Sequence, residues 1–167
     1  MFRYDWAVEE IREIYELPLP ELIFRAQGVH RLHFAPDRLQ RSTLLSLKTG
    51  ACSEDCAYCA QSVHNCAEIE IVPLLGIAEV QARARAAKAA GMSRLCMSAA
   101  WGAAPQGREF DRVLEIVRAV KAEGLEACCT LGLLDADQAR RLKEAGCDYY
   151  NHNLDSSPEF YRKIVST

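Results

Sequence analysis

The 167-residue chain lacks a continuous apolar stretch at its start: "MFRYDWAVEEIREIYE" alternates charge with apolar side chains, which argues against a signal peptide. No later segment reaches the length of a membrane span either. Neither sign of charge dominates. Twenty basic and 23 acidic side chains are interspersed and leave a formal charge of −3, so nothing asks for nucleic acid. A glycine-rich turn after the first strand pattern is also missing, which argues against a doubly wound dinucleotide-binding sheet. These absences lead to the expectation of a cytoplasmic protein with neither a nucleic-acid nor a membrane partner. Against that background the eight cysteines stand out. In a reducing compartment such a count points to metal ligation or catalysis rather than to a disulfide framework.

Residues 1–40 read as an amphipathic helical extension, with "AVEEIREIYEL" and "ELIFRAQGVHRLHF" repeating apolar residues at helical spacing around Pro18 and Pro20. From residue 41 short apolar runs alternate with longer amphipathic ones. Strands are expected near 43–48, 94–100, 126–131 and 148–154, each followed by a helix, near 77–90, 109–123, 135–145 and 157–165. "KAAG", "KAEG" and "KEAG" each close a helical pattern with a glycine, Gly91, Gly124 and Gly146, as a left-handed helix terminus requires. The last helix opens on "SSPEF", where Ser156 and Glu159 fit a capping box around Pro158. Four βα units imply an α/β fold with a parallel sheet. A closed (β/α)8 barrel needs about 250 residues, so the expectation is a TIM-type half-barrel, 41–167, cut off near Thr167.

The first expected strand runs into "CSEDCAYC", a Cys-x3-Cys-x2-Cys spacing formed by Cys52, Cys56 and Cys59. Loops at the C-terminal ends of parallel strands are where such folds place their chemistry. Thiolates favour iron–sulfur clusters or zinc. Three protein ligands on a 4Fe-4S cube leave one iron open to a substrate or cofactor. The alternative on spacing alone is a closed four-ligand zinc site or electron-transfer cluster, completed by His64 or Cys66.

Cys52, Cys56, Tyr58 and Cys59 match the signature of the radical S-adenosylmethionine superfamily. "STLLSLKTGACSEDCAYCAQS", "RLCMSAAWG", "LEACCTLG" and "DYYNHNLDSSPEFY", in this order, together with "AQGVHRLHF", resemble the biotin synthase family over the first half of a family chain. The resemblance implies 4Fe-4S and 2Fe-2S clusters and S-adenosylmethionine as cofactors. Reductive cleavage to a 5′-deoxyadenosyl radical is implied, as are hydrogen abstraction from dethiobiotin and sulfur insertion to form biotin. Residue by residue it implies Cys52, Cys56 and Cys59 on the 4Fe-4S cluster, Cys96 and Cys128 on the 2Fe-2S cluster, Asn153 on dethiobiotin and Asp155 on the ribose of S-adenosylmethionine. Two more ligands of the second cluster fall beyond Thr167. An electron donor such as flavodoxin or ferredoxin and a homodimer of the full-length chain are implied as partners. Other radical enzymes of the superfamily, or a non-catalytic cluster- or zinc-binding remnant, are the competing readings.

Strand parity selects some of the same residues. Leu95, Met97 and Ala99 share one face and Arg94, Cys96 and Ser98 the other; Ala127, Cys129 and Leu131 oppose Glu126, Cys128 and Thr130; Asn151, Asn153 and Asp155 share a face. With helices over the apolar sides, Cys96, Cys128 and Asn153 point into the barrel. The chain departs from the family at Ser98, where glycine is usual, and in "SVHNCAEIEIVPLL", which lacks the aromatic–Lys–Thr–Gly run. Cys66, Cys129 and Cys147 read as ordinary thiols, His30 and His33 as packing residues and His152 as a core histidine; Trp6 and Trp101 carry no separate signal.

Overall fold

The computed structural model describes residues 3–153 and 155–167. The chain divides into two compact units, Met1–Leu39 and Gln40–Thr167.

The first unit is two helices, α1 (Val8–Tyr15) and α2 (Leu19–His33). Glu10 reaches back to accept the Ala7 N–H at 2.9 Å and the Arg3 guanidinium at 2.9 Å, which satisfies a donor that the first turn leaves orphaned. Pro20 lies in the first turn of α2, where a missing N–H costs nothing. Neither helix buries a residue. His30 stacks on Phe34 with centroids 5.5 Å apart and sets its Nε2 3.2 Å from the Ala35 carbonyl.

The second unit is a four-stranded parallel sheet in sequence order, β1 (Ser42–Lys48), β2 (Arg94–Ala99), β3 (Glu126–Thr130) and β4 (Tyr149–Tyr150). Helices α3 (Ile77–Ala89), α4 (Arg108–Ala122), α5 (Ala136–Glu144) and α6 (Pro158–Ile164) follow the strands in turn. Gly91, Gly124 and Gly146 take φ of 77°, 75° and 98° just past the ends of α3, α4 and α5, which a side chain would resist. Leu95 and Met97 of β2, with Ala127 and Cys129 of β3 and Leu131 just past it, face the helices and join one core with Val80 and Ala84 of α3 and with Phe110, Val113 and Val117 of α4. Each large apolar side chain so buried contributes about 1.5–3 kcal/mol, so packing rather than helix propensity holds these helices in place.

Three expectations are corrected. The strand expected at 148–154 is only Tyr149–Tyr150, and residue 154 lies outside the described residues. Among the described residues β4 pairs with β3 alone, and Asp155 turns the backbone left-handed at φ 61°. The cap of α6 is Ser157, not Ser156: its side chain accepts the Phe160 N–H at 3.3 Å, because Pro158 takes the first helical position. His152 is exposed rather than in the core, since the parity that buried it holds only within a strand.

Candidate functional site

The site is built at the C-terminal ends of the strands. The pairing of β1 with β2 slips by one residue between Ser46 and Lys48, which ends the regular ladder where the cysteine loop begins. Gly50 and Ala51 then turn the backbone left-handed at φ 74° and 53°. Such a turn is unfavourable for alanine, and its neighbours secure it. Lys48 Nζ donates to the Gly50 carbonyl at 2.6 Å and to the Ala100 carbonyl at 3.0 Å, tying the turn to the end of β2. The Gly50 N–H donates to Gln61 Oε1 at 2.9 Å.

Beyond the turn the loop folds on itself. Cys52 donates its N–H to the Gln61 carbonyl and accepts from Val63, both at 2.9 Å; Cys59 donates to the Cys56 carbonyl at 3.0 Å. One side-chain amide, Asn65 Nδ2, bridges the carbonyls of Cys56 at 2.9 Å and Cys59 at 2.8 Å. These bonds leave Cys52, Cys56 and Cys59 on one wall of an open cavity of about 400 Å³. Asn153, Asp155 and His152 line it from beyond β4, Trp101 from just past β2, Thr130 from the end of β3, and Tyr161 from α6. Cys66, by contrast, is exposed, and His64 sets Nε2 3.2 Å from the Ser53 carbonyl. Neither residue lines the cavity.

The electrostatics favour a cationic occupant. Glu54 and Asp155 line the cavity with the thiols, and no lysine or arginine is among the described residues lining it. Burial and the neighbouring Cys59 charge push the Cys56 thiol up, as expected of thiolates held close without a counter-ion. Hydrogen bonding to the Asp155 carboxylate, and secondarily burial, raise the Tyr58 phenol well above its usual range. Among the described residues no three His, Cys, Asp or Glu side chains converge on a single-ion position. Three soft donors lining one cavity are the ligand type of an iron–sulfur cluster, which Cys52, Cys56 and Cys59 would hold.

Cys96 and Cys128 are directly opposed across β2 and β3 and lie off the helix-covered face. They do not line the cavity. Ser98 and Thr130, opposed two residues further along the same strands, stand nearer to it, and Thr130 reaches it. Burial and the adjacent Cys96 push the Cys128 thiol up to about 11. A pair of soft donors so placed fits two positions of a second cluster. Cys129 and Cys147 lie in the core on the opposite face, where a hydrogen bond from Cys129 to Cys147 lowers the second thiol and raises the first.

Several site residues carried no signal in the sequence. Trp101, read there as uninformative, lines the cavity. Lys48 and Asn65 act through backbone carbonyls that only the folded loop assembles. Gly132 does have a steric reason: at φ 81°, a Cβ there would stand 2.5 Å from the carbonyl oxygens of Trp101 and Gly102, where Leu133 donates its N–H to Gly102 at 2.9 Å. His152 could have been found from its place between Asn151 and Asn153, had the strand been ended at Tyr150.

Comparison with known proteins agrees with this geometry. The chain is 57% identical over 162 residues to a biotin synthase of Methylibium petroleiphilum, covering 97% of this chain and 49% of that protein. It is 58% identical over 161 residues to the biotin synthase of Thiobacillus denitrificans, covering 96% and 50% respectively. It thus spans about half the length of the curated relatives it matches. The crystal structure of methylornithine synthase, 23% identical, superposes with a TM-score of 0.68 over 96% of this chain and 48% of that one, and shares the fold. Among the described residues no helix is long and apolar enough to cross a membrane. The model of the radical SAM superfamily matches residues 46–167, a span that takes in the three thiols, the acidic cavity and all of β2, β3 and β4, and the chain belongs to that superfamily.

Proposed function

We propose that the chain is the N-terminal part of a biotin synthase, with residues 1–40 a helical extension and 41–167 the first half of a (β/α)8 barrel. The observation that carries this reading is the convergence on one cavity of Cys52, Cys56 and Cys59 from the loop after β1 with Asn153 and Asp155 from the segment after β4. When bound, a 4Fe-4S cluster with S-adenosylmethionine supplies the radical chemistry, and a 2Fe-2S cluster supplies the sulfur. The chain's own residues hold and orient. Cys52, Cys56 and Cys59 ligate the first cluster, and Asp155 holds the ribose of S-adenosylmethionine. Asn153 offers both a donor and an acceptor to the ureido ring of dethiobiotin. Its neighbour Asn151 keeps it in place, donating to Asn153 Oδ1 at 3.1 Å. Cys96 and Cys128 hold two positions of the second cluster, and the remaining ligands come from sequence beyond residue 167. An electron donor of flavodoxin or ferredoxin type and a full-length homodimer complete the proposal.

Anaerobic reconstitution with iron and sulfide tests the first step. The expected product is a visible iron–sulfur absorption that persists when His64 and Cys66 are both replaced by alanine. Loss of the metal in that double variant would replace the open cluster with a closed four-ligand site. In a polypeptide of full family length, S-adenosylmethionine, a reductant and dethiobiotin should yield 5′-deoxyadenosine and biotin. Formation of 5′-deoxyadenosine with no dependence on dethiobiotin would point to another substrate within the superfamily.

A further inference from the structure

We infer that Asp55 is a positioning residue for the cysteine loop, latching its middle to the segment that follows α6 and so setting how firmly the loop holds a cluster. This rests on the reading of Cys52, Cys56 and Cys59 as cluster ligands. Asp55 precedes Cys56 directly, but it is absent from the cavity wall that Glu54 and Cys56 share. One carboxylate oxygen accepts the Ser166 N–H at 2.7 Å and the Thr167 N–H at 3.2 Å. The other accepts the Ser166 hydroxyl. The Asp55 N–H itself donates to Thr167 Oγ1 at 3.2 Å, and the Ala57 N–H donates to the Ile164 carbonyl at 2.9 Å. Thr167 Oγ1 has one proton to give, and Glu54 Oε2 at 2.7 Å is its nearer acceptor, which leaves the hydroxyl oxygen free to receive from Asp55.

The ends of the loop are secured locally, Cys52 by Gln61 and Val63 and Cys59 by Asn65. Its middle is secured differently. The N–H groups of Asp55 and Ala57 find acceptors more than 100 residues away in sequence, so the loop leaving one edge strand is joined directly to the end of α6, which follows the other edge strand. Bonds from N–H to an ionised carboxylate are stronger than neutral ones, and several converge on this one group. The latch lies outside the buried core, so its loss should loosen the loop and leave the sheet and helices standing.

The test uses the anaerobically reconstituted chain and two readouts besides activity: the rate of iron release to a chelator and the electron paramagnetic resonance line shape of the reduced cluster. Asp55→Ala is expected to release iron about 10-fold faster or more, with a broadened line and an unchanged circular-dichroism spectrum. Asp55→Glu, which can still accept, should recover most of the difference. Asp55→Asn keeps the shape without the charge and should fall between, which supplies a reading if the alanine variant folds poorly. Ser166→Pro removes the 2.7 Å donor and suits the extended Val165 before it, at φ −139° and ψ 126°. It should reproduce the Asp55→Ala release rate, and the double variant should be no faster than either single one. Equal release from Asp55→Ala and the unaltered chain, or effects that multiply in the double variant, would overturn the latch. Failure of the unaltered chain to take up any cluster would instead overturn the ligand reading on which it rests.

Discussion

The two faces of the sheet come from the same strands and differ almost completely in character. Toward the helices stand Leu47, Leu95, Met97, Ala127, Cys129 and Leu131, all within the core. On the other face stand Leu44, 81% exposed, with Ser46, Arg94, Cys96, Ser98, Glu126, Cys128 and Thr130. The polar groups there bind one another. Arg94 pairs with Glu126 at 3.0 Å and lies over the Tyr149 ring at 3.7 Å, while Gln40 donates to Glu126 at 2.6 Å. The contrast is sharpest at two adjacent cysteines. Cys128 faces Cys96, and Cys129 faces Cys147 and the helices, so one residue type stands on the polar face and also serves as a small core hydrophobe. What separates the two is the alternation of side chains along a strand and nothing in their chemistry.

The largest effect should come from exchanging one of these cysteines. In a polypeptide of full family length, Cys128→Ala is expected to abolish biotin formation and remove the 2Fe-2S absorption, while the 4Fe-4S cluster survives on its separate loop. Visible spectra and a biotin assay on both variants decide it. If Cys129→Ala were the one to lose the second cluster, the assignment of the faces would be reversed.

Stability should follow the opposite face. Met97 is fully buried among the helices, and Met97→Ala should cost about 3 kcal/mol through lost burial and an unfilled cavity. Ser98, its neighbour on the open face, should tolerate alanine within about 0.5 kcal/mol. Denaturant unfolding of the two variants measures the difference between the faces one residue apart, and equal costs would mean that the open face is as tightly packed as the core. At the mouth of the site Gly132→Ala should cost a comparable amount, about 3 kcal/mol, because the added Cβ meets backbone carbonyls that cannot move aside.

What the sequence made legible was local. The apolar alternation of 94–100 and 126–131 and the glycines at 91, 124 and 146 are signals carried within a few residues, and β2, β3 and the ends of α3, α4 and α5 fall where they indicated. The fourth strand was overdrawn because "DYYNHN" has strand-forming residues, whereas a ladder also needs partners: among the described residues of that stretch only Tyr149 and Tyr150 pair, with Cys128 and Cys129. His152 was misplaced by carrying strand parity past that end. The cysteine spacing was visible as a motif, but the residues that shape its loop were not. Lys48 reaches Ala100 across 52 positions, and Asp55 reaches Ser166 across 111. No window of sequence contains both partners.

A small effect in the core tests the comparison where it is hardest to see. Cys129→Ala removes one sulfur from the core and takes away the donor that Cys129 offers Cys147. Cys147 keeps its own bond to the Tyr149 carbonyl at 3.1 Å, and sulfur is a weak acceptor, so the loss of that donor should matter little. The cost should therefore be set by the small volume removed, about 1 kcal/mol, or a fall in melting temperature of about 3 °C. The Cys147 thiol, held down chiefly by that hydrogen bond, should also rise toward its ordinary range, so that a small alkylating reagent reacts with it more slowly near neutral pH. Both changes should leave cluster content untouched. A cost several times larger would show that the two core thiols act as a coupled pair, and that the helix-covered face holds more than a hydrophobe at residue 129.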